Sequence, residues 1–132
     1  MARRTSQQPT EVELAILNVL WDRGQATARQ IHELVGVQRE TNYSTTVKML
    51  SIMLEKELVK RDDSVRPQLF QAAFSRKRTG TKMLRDMVEK VFDGSATALA
   101  MQALSLKRAS SAEIAEMRAM LDKLEEQNDD AI

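Results

Sequence analysis

Thr27-Ala-Arg-Gln-Ile-His-Glu-Leu-Val35, then Tyr43-Ser-Thr-Thr-Val-Lys48 running on to Leu58-Val59, then Lys60-Arg-Asp-Asp-Ser-Val-Arg-Pro-Gln-Leu-Phe-Gln71: these three stretches decide the fold. Thr27 can cap a helix, with Gln30 three residues on, and Ile31, Leu34 and Val35 give that helix an apolar face. Gly36 is its expected stop. The second stretch predicts another helix, with Ser44 as N-cap and Val47, Leu50, Met53, Leu54 and Leu58 turned inward. The third predicts two short strands, residues 59–61 and 68–74, around a charged turn, where Pro67 is tolerable at a strand start. Helix, turn, helix and hairpin, in that order, are what a winged helix-turn-helix needs.

The second of these helices keeps Ser44, Thr45, Lys48 and Ser51 on its outer face. Hydroxyls serve base edges or phosphates, Thr methyls meet thymine methyls, and Lys reaches guanine or phosphate. A helix N-terminus also favours a phosphate. A plain capped helix would use Ser and Thr in the same way, and the order of elements is what tips the reading toward DNA. The candidate DNA-binding residues are Tyr43, Ser44, Thr45, Thr46, Lys48 and Ser51, with Arg66 as a phosphate contact from the turn. Asp62 and Asp63 weaken attraction in that turn.

Upstream, Thr10-Glu-Val-Glu13 is a capping box, and Val12, Ala15, Ile16, Val19 and Leu20 follow at helical spacing up to Gly24. Trp21 lies on the apolar side and is expected in the core. Residues 1–8 are polar and unpatterned, a loose arm in which Arg3 and Arg4 stand near the start. His32 is the only histidine; without Cys or clustered carboxylates it reads as solvent-facing or interfacial, not as a metal ligand.

Downstream, Met83, Leu84, Met87, Val88, Val91 and Phe92 form one helical stripe. Gly80 suggests a late start or a bend in that helix. Residues 96–106 make a short apolar helix containing Leu99 and Leu104. Ser110-Ser-Ala-Glu113 is a further capping box, before a seam of Ile114, Met117, Leu121 and Leu124. Such helices are thin for a core of their own. These twelve residues are therefore expected to pack against a second copy, where Met adapts well. The alternative is that they fold back on the first domain. The expected organisation is an arm over 1–8, a winged helix over 9–74, dimerisation helices over 75–127 and a frayed tail over 128–132.

Composition bounds the function. The chain has 132 residues, enough for one domain plus an assembly arm, and few Gly and Pro, which favours a mainly α protein. There is no Cys, which fits a reducing interior, and no apolar run long enough to span a membrane, so a cytoplasmic address is expected. Residues 1–80 hold 13 Lys/Arg against 9 Asp/Glu, and residues 81–132 hold 7 against 10. A basic front and an acidic back fit phosphate attraction at one end. No Ser/His/Asp set, phosphate loop or metal cluster stands out, so neither an enzyme nor a cofactor is expected.

Taken together, residues 9–125 resemble the BlaI/MecI/CopY family of bacterial repressors, the penicillinase-repressor type. The residues that carry the resemblance are Glu13-Leu-Ala-Ile-Leu-Asn-Val-Leu-Trp-Asp-Arg-Gly24, Ala26-Thr-Ala-Arg-Gln-Ile-His32, Tyr43-Ser-Thr-Thr-Val-Lys-Met-Leu50, Glu55-Lys-Glu-Leu-Val59, Val91-Phe-Asp-Gly-Ser95 and Ala112-Glu-Ile-Ala-Glu-Met-Arg-Ala-Met-Leu121. The resemblance implies a homodimer with N-terminal winged helices and interlocked C-terminal helices, repressing from a dyad operator. It implies that residues 43–51 enter the major groove. Members that control antibiotic resistance are released when a membrane-bound sensor system causes cleavage at an Asn-Phe bond. The matching pair here is Gln102-Ala103, a departure from that pattern. The copper-responsive branch uses Cys motifs, which this chain lacks. Glu57 stands where the family usually has Gly.

The leading expectation is a homodimeric, sequence-specific repressor on a palindromic operator. The alternative is a winged-helix protein-interaction module or scaffold, for which an apolar outer face on the third helix would be the sign.

Overall fold

A computed structural model describes residues 8–130. The expected arm therefore falls outside the described residues except for Gln8, as do the last two residues of the tail. In chain order the elements are α1 (Glu11–Arg23), β1 (Ala26–Thr27), α2 (Ala28–Ile31), α3 (Tyr43–Glu55), β2 (Val59–Asp62), β3 (Leu69–Ala72), α4 (Arg76–Val91), α5 (Ala96–Leu106) and α6 (Ser111–Asp130). A wider π-type turn over His32–Gly36 prolongs α2. The protein is mainly α with one small antiparallel sheet, as the sequence predicts. The chain divides into two compact units, one ending at Arg85 and one starting at Asp86.

Capping boxes set where the helices start. Thr10 Oγ1 accepts from the Glu13 amide at 3.2 Å, and Glu13 Oε1 accepts from the Thr10 amide at 2.9 Å. Thr27 and Gln30 repeat this pair at 3.1 and 2.9 Å. Gly24, at φ +87°, closes α1 in the left-handed region that glycine enters at no steric cost.

The sheet has a strand that the sequence pattern does not announce. The order is β1-β3-β2, with Ala26 opposite Phe70 and Val59 opposite Ala72. Two residues of β1 have no period to read, and their pairing partner lies far along the chain. The consequence is spatial: β1 holds the start of α2 beside the hairpin.

Between these elements lie Ile16, Leu17 and Leu20 of α1, Ile31 and Val35, Leu50 and Met53 of α3, and Ala26, Val59 and Phe70 of the sheet, all buried. Each large one contributes about 1.5–3 kcal/mol by leaving water. Trp21 packs on this core as expected, half-buried, and its indole N–H donates to the Phe74 carbonyl at 2.9 Å. Val47 departs from expectation: it is 39% exposed, because Leu50 and Met53 define the inward face and Val47 lies to its side.

One buried ion pair was not legible. Lys56 Nζ lies 2.6 Å from Glu13 Oε1, with both side chains nearly covered, and also donates to the Gln8 carbonyl at 3.1 Å. It ties the first turn of α1 to the end of α3. Glu57 follows at φ +60°, so the position where Gly is usual in the family keeps a left-handed backbone with a side chain present. That geometry costs a non-glycine residue about 1 kcal/mol.

The unit from Asp86 onward is different in kind. Ser95 caps α5 and the Ser110–Glu113 box starts α6 as predicted. Gly80 is no boundary: α4 already starts at Arg76, where Ser75 Oγ accepts from the Arg78 amide at 3.0 Å. Helix α6 continues through residues 128–130, the described part of the expected frayed tail. No described residue from 86 onward is buried. Among the expected dimerisation residues, Met83, Val88, Phe92, Leu99 and Met117 are half-buried, whereas Leu84, Met87, Val91, Leu104, Ile114, Leu121 and Leu124 are exposed.

Candidate nucleic-acid interface

Helix α3 is capped two residues earlier than predicted. Asn42, not Ser44, is the N-cap: its Oδ1 accepts from the Thr45 amide at 2.9 Å. Ser44 sits in the first turn, and its hydroxyl donates to the same Oδ1 at 2.9 Å. Asn reaches that amide from an extended backbone as readily as Ser does, so both residues fit the cap by type and geometry alone decides.

The outer face of α3 carries Tyr43, Ser44, Thr45, Val47, Lys48 and Ser51, all exposed. Thr46 is not among them. It is 5% exposed, and its hydroxyl pairs with His32 Nδ1 at 2.8 Å. Its place in the set of DNA contacts is corrected: at helical spacing it faces α2, one side away from Tyr43. His32 likewise does not face solvent freely. It is half-buried, and its ring meets the Tyr43 ring edge-on at 5.5 Å.

Gly36 explains how closely these parts meet. A Cβ there would lie 2.3 Å from His32 Nδ1 and 2.6 Å from Thr46 Oγ1. The residue expected to stop a helix in fact lets the turn after α2 press against the His32–Thr46 pair. That pair sets the base of α3.

Between α3 and the hairpin runs a cleft. Tyr43, Val47 and Ser51 line one side, and Arg61 and Arg66 line the other. Arg29 of α2 completes it, its guanidinium 4.3 Å from the centroid of the Tyr43 ring. The structure brings Tyr43, Ser51 and Arg66 of the candidate set together in this cleft, while Ser44, Thr45 and Lys48 are exposed on α3 outside its lining. Arg29 and Arg61 were missed. Arg61 is on the predicted hairpin, opposite Phe70, and the β1–β3 pairing brings Arg29 beside it, which no local spacing reveals.

Electrostatics sharpen the picture. Asp62 Oδ1 accepts from the Ser64 hydroxyl at 2.5 Å and from the Ser64 amide at 2.9 Å, which holds its carboxyl below the ordinary range, the hydroxyl bond contributing most. Asp63 pairs with Arg61 Nε at 2.8 Å. The two acids expected to weaken the turn are therefore both engaged locally. An exposed pair such as Arg61–Asp63 is worth about 1 kcal/mol or less, so Arg61 can exchange its partner for a phosphate. Three arginines, a tyrosine and a valine suit a duplex edge: guanidinium groups for phosphates, Val47 for a thymine methyl.

The penicillinase repressor family matches residues 9–123, which takes in both units. The chain belongs to that family. It is a DNA-binding transcriptional regulator of the winged-helix kind, and the family is one of regulators, not enzymes. Two solved structures are similar over most of the chain. One is a MarR family transcriptional regulator from Silicibacter pomeroyi DSS, 18% identical, with 90% of this chain and 70% of that chain covered and a TM-score of 0.45. The other is the YusO protein from Bacillus subtilis, 20% identical, with 91% and 77% covered and a TM-score of 0.46. A comparison with curated proteins found no match. Among the described residues, no helix is long and apolar enough to cross a membrane, and no group of three His, Cys, Asp or Glu could hold a metal ion.

Proposed function

We propose that this penicillinase repressor family member represses transcription as a homodimer on a two-fold symmetric operator. Helix α3 enters the major groove, and the β2–β3 turn holds the backbone beside it. The observation that carries this reading is the cleft where Arg29, Arg61 and Arg66 converge on Tyr43, Val47 and Ser51. One such cleft makes few base contacts. Two, related by a dyad, read a palindrome and double the phosphate contacts. The uncovered apolar residues of α4, α5 and α6 supply the surface for the second copy.

Fluorescence anisotropy with DNA from the protein's own promoter tests this directly. Binding should fall steeply with salt, by about 0.9 in the log–log slope for each phosphate contact. Lys48→Ala should relax sequence choice, whereas Arg66→Ala should weaken all sequences alike and lower the slope by about 1 per site. Equal affinity for promoter and random DNA at physiological salt would sink the reading. For release, the partners we add are a membrane-bound sensor system and a protease. The bond between Gln102 and Ala103 lies inside α5 with both residues exposed, so a protease would have to unwind that helix to reach it. Intact mass before and after induction reads whether the chain is cut.

A further inference from the structure

At the far end of α3 from Tyr43, about 18 Å along the helix axis, a second recess opens. It has a volume of about 150 Å³. Leu58, Phe74 and Met83 form its apolar walls, and Arg78, Thr79 and Lys82 of α4 add polar groups. Lys56 and Glu57 border it as well. The Lys56 ammonium is already used by Glu13, at 2.6 Å. Arg78 and Lys82 make no ion pair with any described residue; the Arg78 guanidinium lies over the Phe74 ring, 4.5 Å from its centroid. The recess therefore holds two cations without an ion-pair partner among the described residues, against one exposed carboxylate, that of Glu57.

We propose that this pocket binds a small aromatic monocarboxylate. Size selects the ring. A cavity of about 150 Å³ takes a benzene-sized group, and drug-sized or nucleotide ligands need about 300 Å³ or more. The apolar walls favour a ring over a bare anion, and Met83 offers a soft thioether to its edge. Charge selects the acid: Arg78 presents a planar fork that matches a carboxylate, with Lys82 beside it. Glu57 offsets one of the two cations, which favours a monoanion over a dianion. A DNA phosphate does not fit this description, because the recess has apolar walls and lies at the opposite end of α3 from the reading cleft.

The experiment is an NMR titration of the full chain with benzoate. Amides of Phe74, Arg78 and Lys82 should move together and saturate, with a Kd of about 1 mM or tighter. Benzyl alcohol, which keeps the ring and loses the charge, should bind at least about tenfold more weakly. Arg78→Gln and Lys82→Gln should each weaken benzoate by roughly fivefold. Glu57→Gln should tighten it by roughly threefold, a gain that a purely structural role for Glu57 would not produce. Arg78, Lys82 and Glu57 are exposed, so the variants should keep the remaining spectrum unchanged. The proposal is overturned if benzoate causes no saturable shift up to about 20 mM. It is also overturned if inorganic phosphate moves the same amides as tightly as benzoate does, which would make the recess a bare basic surface.

Discussion

The two units of this chain use the same devices and reach opposite ends. Each opens a helix with a capping box, Thr10–Glu13 in the first and Ser110–Glu113 in the second. Each carries apolar residues at helical spacing. In the first unit those residues close on one another, and Ile16, Leu17, Leu20, Ile31, Leu50 and Met53 are nearly removed from water. In the second, Val91, Met101, Leu106 and Met120 are each more than 60% exposed. Periodicity tells that a helix has an apolar face. It does not tell whether this chain supplies what covers it. A reading unit that is complete, joined to helices that are not, is the architecture expected when assembly is left to a second copy.

The sharpest way to break this contrast is to damage the complete unit. Removing one partner of the Glu13–Lys56 pair leaves a buried charge unpaired and should cost about 3–5 kcal/mol. Urea denaturation of Lys56→Met, followed by fluorescence of Trp21, reads that loss. Glu13→Leu combined with Lys56→Met should be much less destabilised than Lys56→Met alone. If the double variant were worse, the pair would not be the unit of stability.

The next largest effect belongs to the incomplete unit. Leu121 is 59% exposed in the single chain, so an isolated chain should tolerate Leu121→Asp almost without cost. Covered by a second copy, each buried Leu contributes about 1.5–3 kcal/mol, and Leu121→Asp should then shift the protein toward monomer in sedimentation equilibrium. An unchanged association constant would remove Leu121 from the interface.

Gly36 tests the first unit at finer scale. Gly36→Ala places a methyl against His32 and Thr46, and overpacking of this kind costs about 1–3 kcal/mol. Because that pair sets the base of α3, DNA affinity should fall along with stability. A crystal structure of the variant with the His32–Thr46 hydrogen bond intact would show that the turn yields elsewhere.

How much of this was legible follows from what each interaction spans. Caps and stripes are local, and the sequence placed α1, α5 and the capping boxes with little error. The α3 cap was missed by two residues, because Asn42 and Ser44 both satisfy the chemistry. Thr46 was misplaced because hydroxyl type suggests a contact while helical angle decides which way it points. Arg29, Arg61 and the Glu13–Lys56 pair could not be read at all. They depend on elements meeting across 42 to 44 residues of chain, through β1–β3 pairing and the approach of α1 to the end of α3. The reading cleft was therefore half legible: its helix side came from spacing and Arg66 from the turn, whereas Arg29 and Arg61 needed the topology.

The smallest effect is read through pH at the capping box of the second unit. Glu113 is fully exposed, and its bonds to Ser110, first to the backbone amide, hold its carboxyl below the ordinary value of 4.5. A carboxyl depressed on folding stabilises the folded form above its unfolded value, and the contribution is lost as pH falls through the lower folded value. The start of α6 should therefore loosen only on acidification below about 4.5, seen as faster amide exchange relative to mid-helix at the Ser110 N–H, which donates to the Glu113 carboxylate. Glu113→Gln keeps an oxygen that can accept from Ser110 and removes the titration, so exchange there should lose its acid dependence. The same loss of protection in Glu113→Gln would mean that acid acts on α6 as a whole, through the assembly and not through its cap.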